Sequence, residues 1–529
     1  MPSKRQRRAS RDPVSPGTKA AVISFLTVVL AMVVALWSLT QPWEIWLLLS
    51  GVVGMGCAVV ISGVRLSTLG VVLIGMFCFT ASWDDVMLGS VNIRQLCLAL
   101  GGLLLLTTID PLRLPPIPWW LHAYGLAAAI ATGFQLLFPV SQAYLDTRYA
   151  TSASGQSLGE RAGTLPSLAS LLFNNYAVPV FIVLACMVMP KALRWLIASY
   201  VVGAAFCCLA AILGYYGMPV LMNIFGGVAW PSGVRASGFT SHPLRLATAG
   251  MMATALACWM ALQKHTLLKW GGWGSLPLLL GGLYVSGSRG GILAGMLVLG
   301  LSMFLLPEVR RRVHEVVGTV AVAVLALLFA VPAVVESLLG QTRLAGDQTT
   351  SVSDTGRSQV LVQGLDDFNT SPIFGIGIQY IAEAHTLYVG VLAAGGVIFG
   401  VGFVLFNIGS LLAAFQSLKI DRALAGALLA TLGATLFYWT VADLIQTKTV
   451  AIMYAFVVAL WWRGKEDPSA PPVSETAEAM DSALEQAGSV RAGRQDFDPT
   501  PSVPRVAPDR LNFPDGPASA GPGLSVTGG

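Results

Sequence analysis

The sequence predicts an all-α polytopic membrane protein, and three observations predict it. Of 529 residues, 55% are hydrophobic. Only 11% are charged, against about 25% in soluble domains. Mean hydropathy is +0.69, and the apolar residues lie in long uncharged runs, most of them near the roughly 20 residues that a helix needs to cross a hydrocarbon core. A soluble enzyme is excluded. A β-barrel is excluded too, because its strands alternate over about ten residues rather than running continuously apolar.

Taken in order, residues 1–19 hold Lys4, Arg5, Arg7, Arg8, Arg11 and Lys19 against Asp12. A basic cluster ahead of the first apolar run predicts a cytoplasmic N-terminal tail, and the run from Ala20 to Leu39 is too long for the core of a signal peptide. Hydrophobic segments follow at 20–39, 44–62, 67–82, 91–108, 117–138, 170–189, 193–214, 243–262, 271–287, 290–306, 315–335, 387–416, 423–443 and 448–462. They make about 14 spans, with about 12 to 14 as the range, in one membrane domain over residues 20–462. With the N-terminus inside, Arg65, Arg113, Lys191, Arg194, Lys264, Lys269, Arg310, Arg311, Arg312, Lys419, Arg422, Arg463 and Lys465 all fall in cytoplasmic connections. Both termini are then cytoplasmic.

The opposite face receives three long connections, 139–169, 215–242 and 336–386, the last being the largest. Their Gly, Ser, Thr, Asn and Asp content suits structured, functional loops. Residues 463–529 are rich in Pro, Ala, Gly, Ser and acidic side chains, which predicts a disordered cytoplasmic tail. Cys57, Cys78, Cys97, Cys186, Cys207, Cys208 and Cys258 lie in apolar segments and read as small hydrophobes, with neither metal-ligand spacing nor a disulfide framework.

On that opposite face, ionisable groups concentrate in a few stretches. Arg289 interrupts the apolar pair of segments from Gly271 to Leu306. An arginine at membrane depth is a functional candidate, and the small neighbours Ser286, Gly287, Ser288, Gly290 and Gly291 leave room for a ligand. Its rigid fork of donors suits phosphate oxygens. An arginine snorkelling to the headgroups from a tight turn is the other reading, and both are open. Arg357 follows the polar run from Asp347 to Asp354 and begins apolar spacing at Val360, Leu361, Leu365 and Phe368, which predicts a short amphipathic helix on the membrane face. A solvated charge, or one paired with Asp354, is the alternative.

His385 stands where the largest loop meets an apolar run, and a histidine, which titrates near neutrality, can take a proton from an attacking hydroxyl or stabilise a departing anion. A structural histidine at a helix start is the alternative. Pro372 and the stretch Phe374-Gly375-Ile376-Gly377 lead up to it, glycines two apart allowing a tight turn beneath a ligand. Adjacent carboxylates at Asp84-Asp85 and Asp366-Asp367 could hold a hard cation, but no third ligand is evident. A solvated turn is the favoured reading of the first pair.

In order, these stretches resemble the O-antigen ligase and O-antigen polymerase superfamily of bacterial membrane glycosyltransferases. The family's Ser-Arg-Gly element has its counterpart in Ser288-Arg289-Gly290, its loop arginine in Arg357, its Pro-x-x-Gly-x-Gly in Pro372 to Gly377, and its Ala-His-Asn element in Ala384-His385-Thr386. Arg235-Ala236-Ser237-Gly238 and His242-Pro243 are similar to the segment upstream, and the likeness covers about residues 200–420. Thr386 departs from the usual Asn, and Val360 and Leu361 stand where an aromatic is common.

The resemblance implies a GT-C-like fold and an extracytoplasmic active site in the bacterial cytoplasmic membrane. It implies transfer of a glycan from undecaprenyl or decaprenyl pyrophosphate, with inversion, to a hydroxyl on a glycan, lipid or protein acceptor. Neither metal nor cofactor is expected. Arg289 and Arg357, with Arg235 and Arg245 as weaker members, would bind the pyrophosphate, and His385 would activate the acceptor. Ligase and polymerase activities share these motifs. A lipid-linked oligosaccharide flippase is the alternative from another class, although flippases keep their ionisable groups near the bilayer midplane.

Overall fold

The computed structural model describes residues 66–84, 87–88, 91–109, 115–141, 143–145, 164–225, 235–306, 308–311, 348–380, 386–442 and 447–466. Within these limits the chain is helical apart from one small hairpin, β1 (Met87–Leu88) against β2 (Val91–Asn92). The helices are α1 (Leu66–Phe79), α2 (Ile93–Thr108), α3 (Trp119–Leu137), α4 (Thr164–Leu172), α5 (Val178–Val188), α6 (Ala192–Tyr215), α7 (Val220–Phe225), α8 (Pro243–Ala261), α9 (Thr266–Val285), α10 (Arg289–Leu305), α11 (Gln348–Thr370), α12 (Leu387–Ser417), α13 (Arg422–Tyr438) and α14 (Lys448–Glu466). A π-helical turn, Phe173–Ala177, joins α4 to α5 without a break in the rod.

Three of the expected apolar segments, 20–39, 44–62 and 315–335, lie outside the described residues, as do Cys57 and the tail from 467 onward. Each of the other segments coincides with a helix. Among the described residues, four helices are long and apolar enough to cross a membrane, namely Leu165–Val188, Ala192–Tyr215, Pro243–Ala261 and Leu387–Ser417. Shorter apolar helices, such as Arg289–Leu305 and Arg422–Tyr438, pack among them. The last helix continues past the expected end at 462 to Glu466.

Packing follows the solvent for which the composition is suited. Phe304, Trp270 and Leu126 point out of the bundle, whereas α8 is buried on nearly every face. In a soluble protein such an apolar exterior would aggregate; in hydrocarbon it is the solvated face. Small residues bring the helices together, as where Gly272 of α9 meets the backbone of Ala257 and Ala261 in α8. Cys78, Cys97, Cys207, Cys208 and Cys258 are buried and unbridged, in keeping with a packing role.

α12 is two helices in one. At Gly396 the backbone turns to φ 62°, ψ −166°, a conformation that breaks the ladder. The freed carbonyls of Ala393 and Ala394 accept from the amides of Ile376 (2.8 Å) and Gly377 (3.0 Å), and the amide of Val397 donates to the Pro372 carbonyl (2.9 Å). The turn from Pro372 to Gly377 therefore supplies the hydrogen bonds that the break removes. Such an interruption is tolerated at membrane depth when protein covers it.

Candidate active site

The ends of several helices converge on one polar end of the bundle. Ala236 donates its amide to the Val285 carbonyl (2.9 Å), and Arg235 Nε donates to the Ser286 carbonyl (3.3 Å). The segment ahead of α8 thus lies along the α9–α10 turn. That turn is built by its serines: Ser286 Oγ accepts from the Ser288 amide (3.2 Å), and Ser288 Oγ caps α10 by accepting from Gly291 (3.1 Å). Gly287, at φ 60°, reverses the chain between them. Arg289 is consequently the first residue of α10, where the exposed amides of a helix start favour an anion.

The same end gathers three further elements. Tyr438 donates its hydroxyl to the Leu244 carbonyl (3.3 Å), tying α13 to the start of α8. Leu387 donates its amide to the Trp439 carbonyl (3.0 Å), which seats the start of α12 beside them. Thr386 caps α12 through its hydroxyl, accepting from Val389 at 3.3 Å. A helix cap is a role that Thr and Asn share, which explains why Thr can stand at this position. His242 caps α8 in the same way, its Nδ1 accepting from the Leu244 amide at 3.2 Å.

Arg235, Arg245 and Arg289 are therefore brought to one end of the bundle. Arg357 is placed otherwise: it is exposed on α11, a 23-residue helix much longer than the short amphipathic one expected. His385 lies outside the described residues, with Thr386 next to it in the chain. The Pro372 to Gly377 turn lies on the break of α12, so that its glycines serve a main-chain junction. Gly375, at φ 73°, faces the backbone of Ala394 and Gly395 so closely that a Cβ would collide with it.

The carboxylates also differ from expectation. Asp84 is no solvated turn residue: Arg94 holds its Oδ1 at 2.5 Å and Arg245 its Oδ2 at 3.0 Å, with the Asp84 side chain 11% exposed. Guanidinium groups occupy both of its oxygens. Asp85 lies outside the described residues. Asp367 is buried and accepts from the Tyr144 hydroxyl at 2.8 Å, whereas Asp366 is exposed.

Two more groups at this end escaped the sequence reading. Lys448, the first residue of α14, is buried and donates to Asn174 Oδ1, with the Phe173 ring 5.9 Å from its Nζ. Asn174 is offered by the π-helical turn, a feature often found at functional sites. Lys448 is also within electrostatic reach of Arg94 and Asp84. The signal available was topological, since Arg94 and Lys448 both head apolar segments on the side that the expected topology assigns to the extracytoplasmic face, where basic residues are disfavoured.

A family model described as O-antigen ligase matches residues 274–406. The chain carries an O-antigen ligase domain. The domain runs from α9 through the first two-thirds of α12, and takes in Arg289, Arg357 and His385. It identifies a membrane protein with a ligase- or polymerase-type role in polysaccharide assembly. Arg235, Arg245, Asp84, Arg94 and Lys448 lie outside the matched residues. No curated protein matches the chain.

Proposed function

We propose that the protein is a membrane glycosyltransferase that moves a glycan from a polyprenyl-pyrophosphate donor to an acceptor hydroxyl at the extracytoplasmic face of the bacterial cytoplasmic membrane. The transfer is ligase-like, inverts the anomeric carbon and needs neither a metal nor a nucleotide sugar. One observation carries this reading: the O-antigen ligase domain contains Arg289, Arg357 and His385, and the polar end of its bundle adds Arg235 and Arg245. A GT-C-like arrangement of about 14 spans with both termini cytoplasmic belongs to the same proposal.

The chemistry asks for little beyond placed charge. The acceptor oxygen attacks the anomeric carbon from the face opposite the pyrophosphate, the glycosidic C–O bond breaks, and the electron pair leaves with the polyprenyl pyrophosphate. The acceptor's proton goes to His385. Arg289 and Arg357 stabilise the departing anion, Arg289 with the added field of the α10 N-terminus. Arg235 and Arg245 contribute from the rim, the latter oriented by Asp84.

Transfer from a lipid-linked glycan to an acceptor, measured with purified protein in proteoliposomes, should fall about a hundredfold or more in Arg289→Ala and in His385→Ala. Full activity in both variants would overturn the assignment of the site. Cells lacking the protein should accumulate lipid-linked polymer. Accumulation of single repeat units would replace the ligase form of the proposal with a polymerase.

A further inference from the structure

We infer that Gln135, a residue of α3 outside the O-antigen ligase domain, is a positioning residue for the transfer site, acting through the break in α12. The inference rests on the function proposed above. The half-helix from Leu387 to Gly395 has two ends. Thr386, which follows His385 in the chain, caps one; the break at Gly396 forms the other. Whatever holds the break sets the direction of the half-helix, and with it the entry of the chain at residue 386.

Gln135 holds the break from a third element. A glutamine amide carries two N–H groups, and here both are used: Nε2 donates to the Phe374 carbonyl in the turn and to the Ala394 carbonyl in the half-helix, the latter at 2.8 Å. One side chain therefore bridges the two partners of the junction. The residue is 8% exposed, and its Oε1 has no hydrogen-bond partner among the described residues, so the amide acts there through what it donates. Its neighbour Phe134 stacks on Phe374 at 4.1 Å and 13°. Beyond the end of α3, Tyr144 donates to Asp367 on α11, the helix that carries Arg357. A strip from Phe134 to Tyr144 thus grips both the turn and the arginine helix.

Stability alone does not call for an amide at this place. The turn and the break already pair through their own backbones, and α3 packs on the rest of α12 through small-residue contacts, Ala127 on Gly402 and Trp120 on Gly409. An apolar side chain would fill the same space and remove the unbonded Oε1, with only the Phe374 carbonyl losing its donor, since Ala394 also accepts from Gly377. What the amide adds is a fixed relation between two backbone segments.

Gln135→Leu removes the donors at similar size, and Gln135→Glu turns a carboxylate oxygen toward the two carbonyls. In full-length protein in proteoliposomes, amide hydrogen exchange at residues 376–377 and 397–398 should quicken about tenfold or more in both variants, with α13 unaffected. Transfer kinetics should show kcat lower by about ten- to a hundredfold, with donor KM within about twofold and the thermal midpoint retained, because a misplacement near 1 Å costs rate rather than binding. The Glu variant should be the worse of the two. Unchanged exchange, unchanged kcat, or a loss of kcat that merely follows a loss of folded protein would overturn the inference. A wild-type protein that transfers no lipid-linked glycan would instead overturn the proposed function, and the exchange measurement, which needs no substrate, tells the two failures apart.

Discussion

The two ends of the bundle treat positive charge differently. At one end, Lys264, Arg310, Arg311, Lys419, Arg422 and Lys465 are exposed at helix termini. Aromatic rings accompany some of the cations here: Lys465 Nζ lies 4.2 Å from the Trp461 ring centroid and the Arg194 guanidinium 5.4 Å from that of Trp195. At the other end, Arg94 and Arg245 share one carboxylate, Lys448 is buried against an amide, and Arg235 donates to a backbone carbonyl. The six exposed cations cost little, because each keeps its water; Arg194, 3% exposed, is the exception at this end. The second arrangement withdraws Arg94, Asp84 and Lys448 from water, with Arg245 still 40% exposed, and must hold the buried charges by specific bonds. Cations of the first kind report topology, and those of the second kind mark where a site has been built.

The largest expected effect comes from removing the anion at the buried end. Asp84→Ala leaves Arg94 and Arg245 without the carboxylate that joins them, so unfolding in detergent should become easier by about 3–5 kcal/mol. A loss below about 1 kcal/mol would mean that water reaches this end as freely as the other, and the contrast would fail. Next comes the junction that supports the site. Gly396→Ala puts a Cβ onto the backbone of Ile373 and Phe374 at a positive φ, and should cost about 3 kcal/mol, part of it the strain of a left-handed alanine at about 1–2 kcal/mol. Gly356→Ala on α11, with nothing near its Cβ, should stabilise by about 0.5–1 kcal/mol. Equal losses in the two glycine variants would show that the break in α12 is not a specific structure.

Lys448 sharpens the comparison further. Asn174→Leu strips the acceptor from a buried ammonium and should cost about 2–3 kcal/mol. Exchanging both partners, Asn174→Leu with Lys448→Met, removes the buried charge and its bond together, and should be neutral or stabilising. If the double variant were as unstable as the single one, the ammonium would be bound to something other than Asn174, and the polar end would hold an unrecognised counter-charge. Equilibrium unfolding of the three proteins decides it.

The helices were legible because a run of some twenty apolar residues has few other stable states in hydrocarbon. Junctions were not. Gly395-Gly396 lies inside the apolar run 387–416, and the turn that completes the break lies some twenty residues upstream. Glycines two apart at Gly375 and Gly377 announce a turn, but a backbone pairing and a ligand cradle demand the same small residues. Gln135 was one amide in the segment 117–138, and its partners are 239 and 259 positions away. Arg289 was legible because it interrupts apolar sequence. Arg94 and Lys448 only begin such sequence, where a cation more often snorkels. The family match then added the identity of the domain, without reaching Asp84 or the helices that hold Gln135 and Lys448.

The smallest expected effect tests the inexpensive end. Lys465→Ala removes an exposed ammonium and its contact with the Trp461 ring, an interaction of about 0.5–1 kcal/mol at such sites. Stability should drop by no more than this, and added salt should change the difference little, because the ring offers a quadrupole rather than a full charge. Orientation should also survive. Arg463 and Lys465 both follow the apolar part of α14, and the bias that orients a helix is summed over all basic residues near its end. Labelling of a cysteine placed at the end of α14, in intact cells and in inverted vesicles, would read the orientation directly. An inverted or mixed result would mean that a single charge at this end carries weight of the kind assigned here to the buried end.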